Sequence, residues 1–346
     1  MLLAAFLGLA PPAGGPGADG GAPERAVRLT VAASGDLLVH TPVAQRALAL
    51  GGGRRYDFAP LFASVRRVIA GADLALCHAE TALVPGPVQG YPVFHTPPDL
   101  ARSIRRVGWD ACSTASNHSL DAGQYGIETT LRALRGAGVR ATGTARSARA
   151  RRRTTMLRVK GVRVAFLSYT AVSNGQAVPH PWSVNWASAG LILRDARRAR
   201  GRGARIVIVN IHWGTEFVAP VSPQQRALAG RLTRSPAIDA IVGQHTHVVQ
   251  PIRRVHGKPV VFGEGNLISN QTAGCCPVAS QDGLIALIDF TVRPGRPPRA
   301  GRIRYVPTWV RHPDMTVMRA APGSASWNRT VSVAGRRVSH PTDGRR

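Results

Sequence analysis

Two histidines separated by one residue, His245 and His247, lie in a short block, Gly243–His247, that directly follows the apolar run 238–242. That run is typical of a buried strand, and Gly243 begins a turn after it. Side chains two residues apart in extended backbone point to the same side, so both imidazoles can face one point. Neutral imidazole is a common ligand of transition metals, and the pair predicts half of a metal site. Because such pairs also occur on solvated loops, the interpretation depends on the rest of the chain.

Four further predicted strands end in metal-ligating or titratable side chains. These are Asp36, His78 with Glu80, Asn117 with His118, and His212 with Glu216. Ligands of α/β proteins bind at the carboxyl ends of the strands, so we expect all five strand ends to converge on one rim. A single such residue is as easily a helix cap or a buried structural group, but five together indicate a site. Mixed nitrogen and oxygen donors suit one or two divalent ions of Mn, Zn or Fe better than Ca or Mg.

Length and composition predict a folded α/β protein. The chain has 346 residues, of which 44% are hydrophobic, enough for a sizeable core. Strand and helix patterns alternate along most of the chain, and consecutive strands follow near its end, which indicates a mixed α/β domain with two packed sheets. We expect one domain over residues 27–312. Residues 1–26 are interpreted as a leader with a Pro/Gly-rich linker, and 313–346 as a flexible basic tail.

The charge of the chain is strongly positive. Its formal net charge is +27, and arginine supplies all but two of the 45 basic residues, the exceptions being Lys160 and Lys258. An excess of base favours polyanions as partners, although runs such as 149–153 and 194–205 are equally compatible with solvated faces. No helix-turn-helix, zinc-finger or RNA-binding pattern is present, so a specific nucleic-acid partner is not expected.

The first ten residues are apolar, with the length of the apolar region of a signal peptide, but no charged segment precedes them. They are too few to span a bilayer, and no other stretch is long enough. We therefore expect an exported or cell-envelope protein, with membrane association only through the N-terminus, if at all.

The four cysteines of the sequence do not predict a metal site. Cys275 and Cys276 are adjacent and cannot easily pair with each other, and no C-x-x-C spacing supports a thiolate zinc site. Cys77 and Cys112 each lie in a predicted strand, where buried free thiols are expected.

Six blocks, in order, carry a family resemblance over residues 27–310. They are Ala33–Asp36, Asp73–Thr81, Gly108–Asp121, His212–Glu216, Gly243–His247 and Gly263–Asn266. The chain resembles the CapA/PgsA family of bacterial poly-γ-glutamate capsule synthesis proteins, which have a calcineurin-like metallophosphoesterase fold. The resemblance implies an α/β fold of the metallophosphoesterase-like type, a four-layer α/β/β/α sandwich.

The resemblance also implies a role for each matched position. Asp36 and His247 would bind a first metal, and Glu80 would bridge two metals. Asn117, His212 and His245 would bind the second, and His118 would be the acid that protonates a leaving oxygen or steadies phosphoryl charge. Supporting residues would be His78, Asp121, Glu216 and Asn266. Asp121 could orient His118, but a cap on the following helix is the preferred interpretation.

Three positions depart from the pattern. Leu38 stands where a typical metallophosphoesterase has a histidine, so the first metal site is short of one ligand unless His40 or Glu216 compensates. His78 replaces the usual asparagine, and Leu267 follows Gly265-Asn266 where phenylalanine is usual.

Two functions follow as hypotheses. One is an exported, metal-dependent hydrolase or transferase, phosphoesterase-like, acting on an anionic polymer such as poly-γ-glutamate or on its phosphorylated precursor. The other is an assembly component that binds the polyanion, alongside other capsule-synthesis proteins, without hydrolysing it. Whether the chain is an enzyme stays open at this point.

Overall fold

The structure of the protein is a computed structural model, and it describes Leu2 and residues 26–344. The expected leader and linker, residues 1–26, therefore lie outside the described residues except for Leu2 and Ala26. Among the described helices, none combines the length and apolar character that a membrane crossing requires.

The described part of the chain alternates strands and helices. The strands are β1 (Val27–Leu37), β2 (Leu74–Ala79), β3 (Ala111–Ser113), β4 (Arg140–Thr142), β5 (Thr155–Val159), β6 (Val162–Thr170), β7 (Ile206–His212), β8 (Ala240–Gln244), β9 (Ile252–Val255), β10 (Lys258–Val261), β11 (Asn266–Ile268), β12 (Asp282–Val292), β13 (Arg299–Arg311), β14 (Thr316–Arg319) and β15 (His340–Pro341). The helices are α1 (Thr41–Leu50), α2 (Arg66–Ala70), α3 (Asp99–Val107), α4 (Gly123–Gly136), α5 (Ala148–Arg151), α6 (Ala189–Gly201), α7 (Pro223–Thr233) and α8 (Ala325–Ala334). Short 3₁₀ turns occupy Ala59–Phe62 and Val278–Gln281.

The strands form two mixed sheets. The first has nine strands in the order β14-β13-β12-β1-β2-β3-β4, with β11 beside β1 and β15 beside β13. The second has six strands in the order β5-β6-β7-β8-β10-β9. Each sheet contains a parallel segment, β1 to β4 in the first and β6-β7-β8-β10 in the second. The expected rim is therefore built from the carboxyl ends of two parallel segments, one in each sheet.

Three apolar layers separate four layers of secondary structure. Helices α1 to α4 pack on the outer face of the first sheet, for example through Val43 and Ile104. The inner faces of both sheets meet through residues such as Val31 and Phe166. Helices α6 and α7 cover the second sheet through Ile192 and their other apolar side chains. Because successive side chains of a strand face opposite sides of the sheet, each sheet contributes side chains to two of these apolar layers. The predicted four-layer α/β/β/α sandwich is confirmed.

The C-terminal residues differ from the flexible tail expected over 313–346. Strand β14 extends the first sheet beside β13, and α8 buries Trp327 and Val331 in the apolar layer between the sheets. Ser324 caps α8 by accepting a hydrogen bond from the backbone N–H of Trp327. Trp327 and Val331 lie four residues apart, the spacing of one helix face, within a sequence whose Gly, Ser and Arg content resembles a linker.

The expectation of free thiols at Cys77 and Cys112 is wrong, because the two residues form a disulfide. They lie on neighbouring parallel strands, β2 and β3, as register partners whose Cα atoms are 4.4 Å apart. Cys275 and Cys276 are the free cysteines of the described residues. Strand membership was predictable from the sequence, but the register that brings the two sulfurs together was not.

Candidate metal and catalytic site

The five strand ends lie at the junction of the two sheets. Asp36 lies near the end of β1, and Glu80 follows β2 directly. Asn117 and His118 lie in the loop after β3, His212 is the last residue of β7, and His245 and His247 follow β8. Ligating atoms from this set approach one another within 4.8 Å in three groups: Asp36 with His78 and His212, Asp36 with Glu80 and His247, and Glu216 with His245 and His247. We call these residues, together with Asn117, the rim.

Two buried carboxylates form the anionic part of the rim. Asp36 is 0% and Glu80 1% exposed, and all four carboxylate oxygens lack a hydrogen-bond partner in the described structure. Their neighbours are imidazoles: Asp36 Oδ2 lies 3.2 Å from His247 Nδ1, and Glu80 Oε1 lies 3.7 Å from His247 Nε2 and 3.9 Å from His212 Nε2. Buried charges of this kind are expensive unless a cation or donors compensate them.

His78 presents an unprotonated nitrogen to Asp36. Its Nδ1 lies 2.7 Å from Ser113 Oγ, whose single proton is donated to the carbonyl of Cys77 at 3.2 Å. With the Ser113 proton in that hydrogen bond, Nδ1 donates to Ser113 and the lone pair lies on Nε2. That nitrogen is buried without a hydrogen-bond partner, 3.9 Å from Asp36 Oδ1. A second partner that fixes the tautomer in this way is typical of metal-binding histidines.

His212, Asn117 and His245 form the side of the rim expected to hold the second metal. His212 Nε2 lies 2.9 Å from Asn117 Oδ1, while His212 Nδ1 is buried without a partner. The His212 and His245 rings lie 4.7 Å apart, and Nδ1 of His245 is likewise buried and unpartnered. The three side chains are thus together, as the resemblance implies.

His247 joins this side to Asp36. Its Nδ1 lies 3.0 Å from Asn266 Oδ1, and Asn266 donates to Gln271 and to the carbonyl of Ser280, so its amide is held in place. Glu216, half-exposed after β7, lies 4.0 Å from His247 Nε2. Asn266 therefore positions His247, and Glu216 offers a further carboxylate at the solvent side.

The imidazoles are held neutral except for His247. Burial lowers the pKa of His78 to about 4 and of His245 to about 3, and it lowers that of His212 well below its usual value. Burial also lowers the pKa of His247, but Glu80 and Asp36 outweigh it and raise the value to about 10. Burial, reinforced by Asp36, raises the pKa of Glu80 well above its ordinary range. Neutral rings keep a lone pair available for a metal.

The residues present fit a divalent metal. Two carboxylates and three imidazoles that approach one another here each carry a buried atom without a hydrogen-bond partner, namely Asp36, Glu80, His78, His212 and His245. Buried polar atoms nearly always have a hydrogen-bond partner, so several without one in the same place are unusual for a folded protein. A divalent cation would satisfy these acceptors at once, and its nitrogen and oxygen shell would suit Zn, Mn or Fe.

Close backbone approaches set the rim's geometry. A Cβ at Gly35 would lie 1.9 Å from the carbonyl oxygen of Gly265, whose position allows it to accept from Asp36 N–H. A Cβ at Gly243 would lie 2.1 Å from the carbonyl oxygen of Phe262. His245 and His247 adopt positive φ angles of 95° and 53°. Non-glycine residues in this region store strain, which concentrates at functional sites.

His118 is oriented by Asp121, and the preferred interpretation of Asp121 as a helix cap is wrong. Helix α4 has Ala122 as its N-cap and no side-chain cap. Asp121 Oδ2 instead accepts from His118 Nδ1 at 2.7 Å and from Phe94 N–H at 2.7 Å. A carboxylate cannot donate, so the His118 proton sits on Nδ1 and the lone pair on Nε2. The local sequence favoured a cap, but the turn after His118 places the carboxylate against the ring.

Two residues of this site escaped sequence analysis. Asn174 accepts from the Asn117 amide at 3.1 Å, and its own amide lies 3.4 Å from His118 Nδ1. Gln176 donates to Asp121 Oδ1 at 2.9 Å and leaves its own buried carbonyl oxygen unpartnered. Both lie in the loop after β6, which lacks the strand-end carboxylate or imidazole that marked the other positions. The Asn-Gly pair at 174–175 signals only a turn.

Leu38 is a buried apolar residue at the position where a metal-binding histidine was expected from the family pattern. Leu38 is 2% exposed, and its N–H bonds the carbonyl of Ile268. His40 Nδ1 accepts from Asn270 N–H at 3.2 Å, so this nitrogen is already engaged, and His40 belongs to none of the three converging groups. Within residues 26–344, His78 and Glu216 are the additional ligating groups that reach the rim.

Comparison with known proteins relates the chain to capsule synthesis. The sequence model of the family described as bacterial capsule synthesis protein PGA_cap matches residues 30–271. A probable polyglutamine synthesis accessory protein of Mycobacterium tuberculosis (strain H37Rv) is 31% identical over 187 residues, covering 50% of this chain and 48% of that protein. The capsule biosynthesis protein CapA of Bacillus anthracis is 28% identical over 178 residues, covering 50% and 43%. The chain thus matches about half the length of these curated relatives.

Among solved structures, the chain is similar to the calcineurin-like phosphoesterase YfkN of Bacillus subtilis. The superposition has a TM-score of 0.47 at 15% sequence identity and covers 82% of this chain and 91% of that one.

Proposed function

The chain belongs to the family of bacterial capsule synthesis protein PGA_cap, and we propose that it is a metal-dependent, phosphoesterase-like hydrolase or transferase of capsule synthesis. Its substrate would be an anionic polymer such as poly-γ-glutamate, or the phosphorylated precursor of one. The observation that carries the proposal is the convergence of buried, unpartnered carboxylate and imidazole atoms on the rim. The names of the relatives support a polymer-related role.

In this proposal the rim holds one or two ions of Mn, Zn or Fe. Asp36, Glu80, His212, His245 and His247 are the main ligands. Asn117 Oδ1 and His78 Nε2 would complete the ligand shell. Because position 38 is a leucine and not a histidine, His78 would supply the imidazole beside Asp36. A bound divalent ion would supply Lewis acidity at a phosphoryl or carbonyl oxygen.

His118 is the proton-transfer residue of the proposal. Asp121 fixes its tautomer and ring orientation through Nδ1, as a carboxylate does for a general acid–base histidine. Nε2, which holds the lone pair of the neutral ring, would take up a proton and pass it to a leaving oxygen. Asn174 holds the neighbouring Asn117 and limits the freedom of this side of the rim.

We further propose that the protein works in the cell envelope. Capsule polymers are assembled there, and the disulfide between Cys77 and Cys112 is typical of proteins from oxidising compartments.

A non-catalytic role, binding the polyanion within a polymer-assembly complex, is the second candidate. It is favoured by Leu38, which removes an expected ligand, and by a net charge of +27. Both candidates retain a metal at the rim, so turnover is what separates them.

The test is turnover by the purified, metal-loaded chain on phosphomonoester, phosphodiester and γ-glutamyl substrates. We expect His118→Ala to lower turnover about 10²–10⁴-fold with unchanged metal content, because His118 moves a proton and binds no metal. His340→Ala, at an exposed histidine, is the matched control and should match wild type.

Metal binding without turnover on any of these substrates would favour the assembly role. Loss of metal in His118→Ala would contradict its assignment as the acid.

A further inference from the structure

A second strongly charged feature lies away from the rim, where the free edges of the two sheets meet. Strand β4 ends the first sheet and β5 ends the second, and Thr155 Oγ1 donates to the carbonyl of Ala141 at 2.9 Å across the junction. Helices α4, α5 and α6 contribute to a cavity of ≈570 Å³ around this junction. A neighbouring cavity of ≈350 Å³ shares Arg152, Arg153 and Arg198 with it. We call this continuous concavity the arginine groove.

The charge of the groove is largely uncompensated. Six arginines with exposed positions line its larger cavity, namely Arg132, Arg135, Arg140, Arg146, Arg152 and Arg153. Within residues 26–344, the side chains of these six make no ion pair or hydrogen bond. Glu128 and Asp195 are the acidic residues among those that line the larger cavity. Mutual repulsion of so many guanidinium groups at one concave surface is relieved by a bound polyanion.

The groove also has a fixed inner part. Asp195, 5% exposed, accepts from Arg151 at 3.0 Å, from Arg198 at 3.1 Å and from the buried hydroxyl of Tyr169 at 3.0 Å. One carboxylate thus holds two guanidinium groups in place without neutralising both. Pre-positioned guanidinium groups lose less conformational freedom on binding an anion than free ones do.

The groove is connected to the catalytic side of the rim. Thr142 and Thr144 line it, and both contact Thr114, which begins the loop that carries Asn117 and His118. Thr114 N–H donates to the carbonyl of Thr142 at 2.8 Å, and the hydroxyls of Thr114 and Thr144 lie 2.8 Å apart. A polymer lying in the groove would therefore contact the wall that supports the loop of His118.

We infer that the arginine groove is a binding site for an extended polycarboxylate chain, separate from the rim. Planar guanidinium groups bind carboxylates through paired hydrogen bonds, and several of them in one concavity suit a polymer with one carboxylate per repeat. The choice of carboxylate over phosphate rests on the proposed function in capsule synthesis. The groove would hold the polymer while the rim binds metal.

The experiment measures the binding of labelled poly-γ-glutamate to the full chain by fluorescence anisotropy at fixed ionic strength. The groove variant carries Arg140→Gln, Arg146→Gln and Arg153→Gln. The control carries Arg66→Gln, Arg231→Gln and Arg234→Gln, three exposed arginines on the helical faces that also lack an acidic partner within residues 26–344. Both variants lose three positive charges, so any general effect of net charge on polymer binding is the same in the two.

We expect the groove variant to bind about tenfold more weakly than wild type, since each exposed contact contributes modestly, while the control stays within about twofold. Equal weakening of both variants would overturn the inference, as would the absence of binding by wild type. Tighter binding of polyphosphate than of poly-γ-glutamate would overturn the carboxylate assignment.

Metal content separates this inference from the proposed function. The groove variant should keep the metal content of wild type, and His212→Ala should lose metal while still binding the polymer. Wild type that binds polymer at the groove but holds no metal would defeat only the proposed function. Wild type that holds metal but whose groove variant binds polymer normally would defeat only the inference about the groove.

Discussion

At the scale of single residues, the central fact is that Asp36 and Glu80 are buried together with no hydrogen-bond donor to their oxygens. Among the described residues, the positive charge that compensates them is a proton on His247, whose pKa the two carboxylates raise to about 10. The neighbouring rings of His78, His212 and His245 are kept neutral by burial. Three neutral imidazoles beside two buried carboxylates are arranged for a metal ion, which their lone pairs can bind and whose charge the carboxylates can balance.

His78 is the residue whose importance the structure raises most, and His78→Asn tests it. The variant restores the side chain usual in the family but removes the Nε2 lone pair that faces Asp36. We expect metal affinity to fall about 10–100-fold, as for loss of a supporting group at a metal site. The measurement is a metal titration of the metal-free protein, with His340→Ala as the exposed-histidine control. Wild-type affinity in His78→Asn would remove His78 from the ligand shell.

The sequence identifies those candidate residues that lie at the end of a predicted strand and have a polar or titratable side chain. Asp36, Glu80, His212 and His245 satisfy that rule, and the structure brings them together. Asp121 satisfied a local rule for a helix cap, but its carboxylate is taken by His118 and Phe94. Asn174 and Gln176 follow no strand-end rule, because their contacts depend on how a loop folds over the rim.

At the scale of elements, two glycines allow the strands of the rim to approach other backbone segments. Gly35→Ala would place a Cβ 1.9 Å from the Gly265 carbonyl oxygen, which is backbone and cannot move freely. We expect the free energy of unfolding to fall by about 1–3 kcal/mol, the usual cost of overpacking. Denaturant unfolding of the purified variant measures it.

Gly230→Ala is the matched control, since Gly230 lies inside α7 and a Cβ added there would meet no other atom within 4 Å. Removing a helical glycine should stabilise the protein by about 0.5–1 kcal/mol. Equal stability of the Gly35 variant and wild type would show that β1 and the Gly265 segment are not in such close contact.

The disulfide links two neighbouring strands, β2 and β3, that lead to the rim residues Glu80 and Asn117, so it should add stability to this part of the first sheet. It closes a loop with a sequence separation of 35 residues. Removing it as Cys77→Ala/Cys112→Ala should lower the free energy of unfolding by about 4 kcal/mol through loop entropy in the unfolded chain. Cys275→Ala/Cys276→Ala, which removes the two free cysteines, should change it little.

Thiol titration checks the same prediction independently. The chain unfolded without reductant should show the two thiols of Cys275 and Cys276, and all four after reduction. Four thiols before reduction would contradict the disulfide.

Elements with strong local signals were predicted well, and elements with weak ones were not. Helix α7 begins with a complete capping box between Ser222 and Gln225, a pattern of residues that marks a helix start in the local sequence itself. Helix α8 was missed because its apolar residues are few and its flanks are rich in glycine, serine and arginine. Its stability comes from burial against the sheets and from the paired contact of Arg329 with Asp282, and neither is visible in local sequence.

At the scale of the whole molecule, the sandwich brings the carboxyl ends of two parallel segments to one junction and leaves the free edges of β4 and β5 at another. The first junction holds the rim, and the second holds the arginine groove. A net charge of +27 alone predicted an anionic partner but no place for it. The position of the groove depends on which strands become sheet edges, which is a property of the topology and not of the arginine count.

The most direct test of the account is the metal content of the purified full chain, measured by elemental analysis after exposure to Mn, Zn and Fe and removal of loosely bound ions. We predict about one or two equivalents in wild type, near zero in Asp36→Ala/His212→Ala, and wild-type content in His340→Ala. Metal-free wild type under all three conditions would contradict the account. So would a double variant that binds as much metal as wild type.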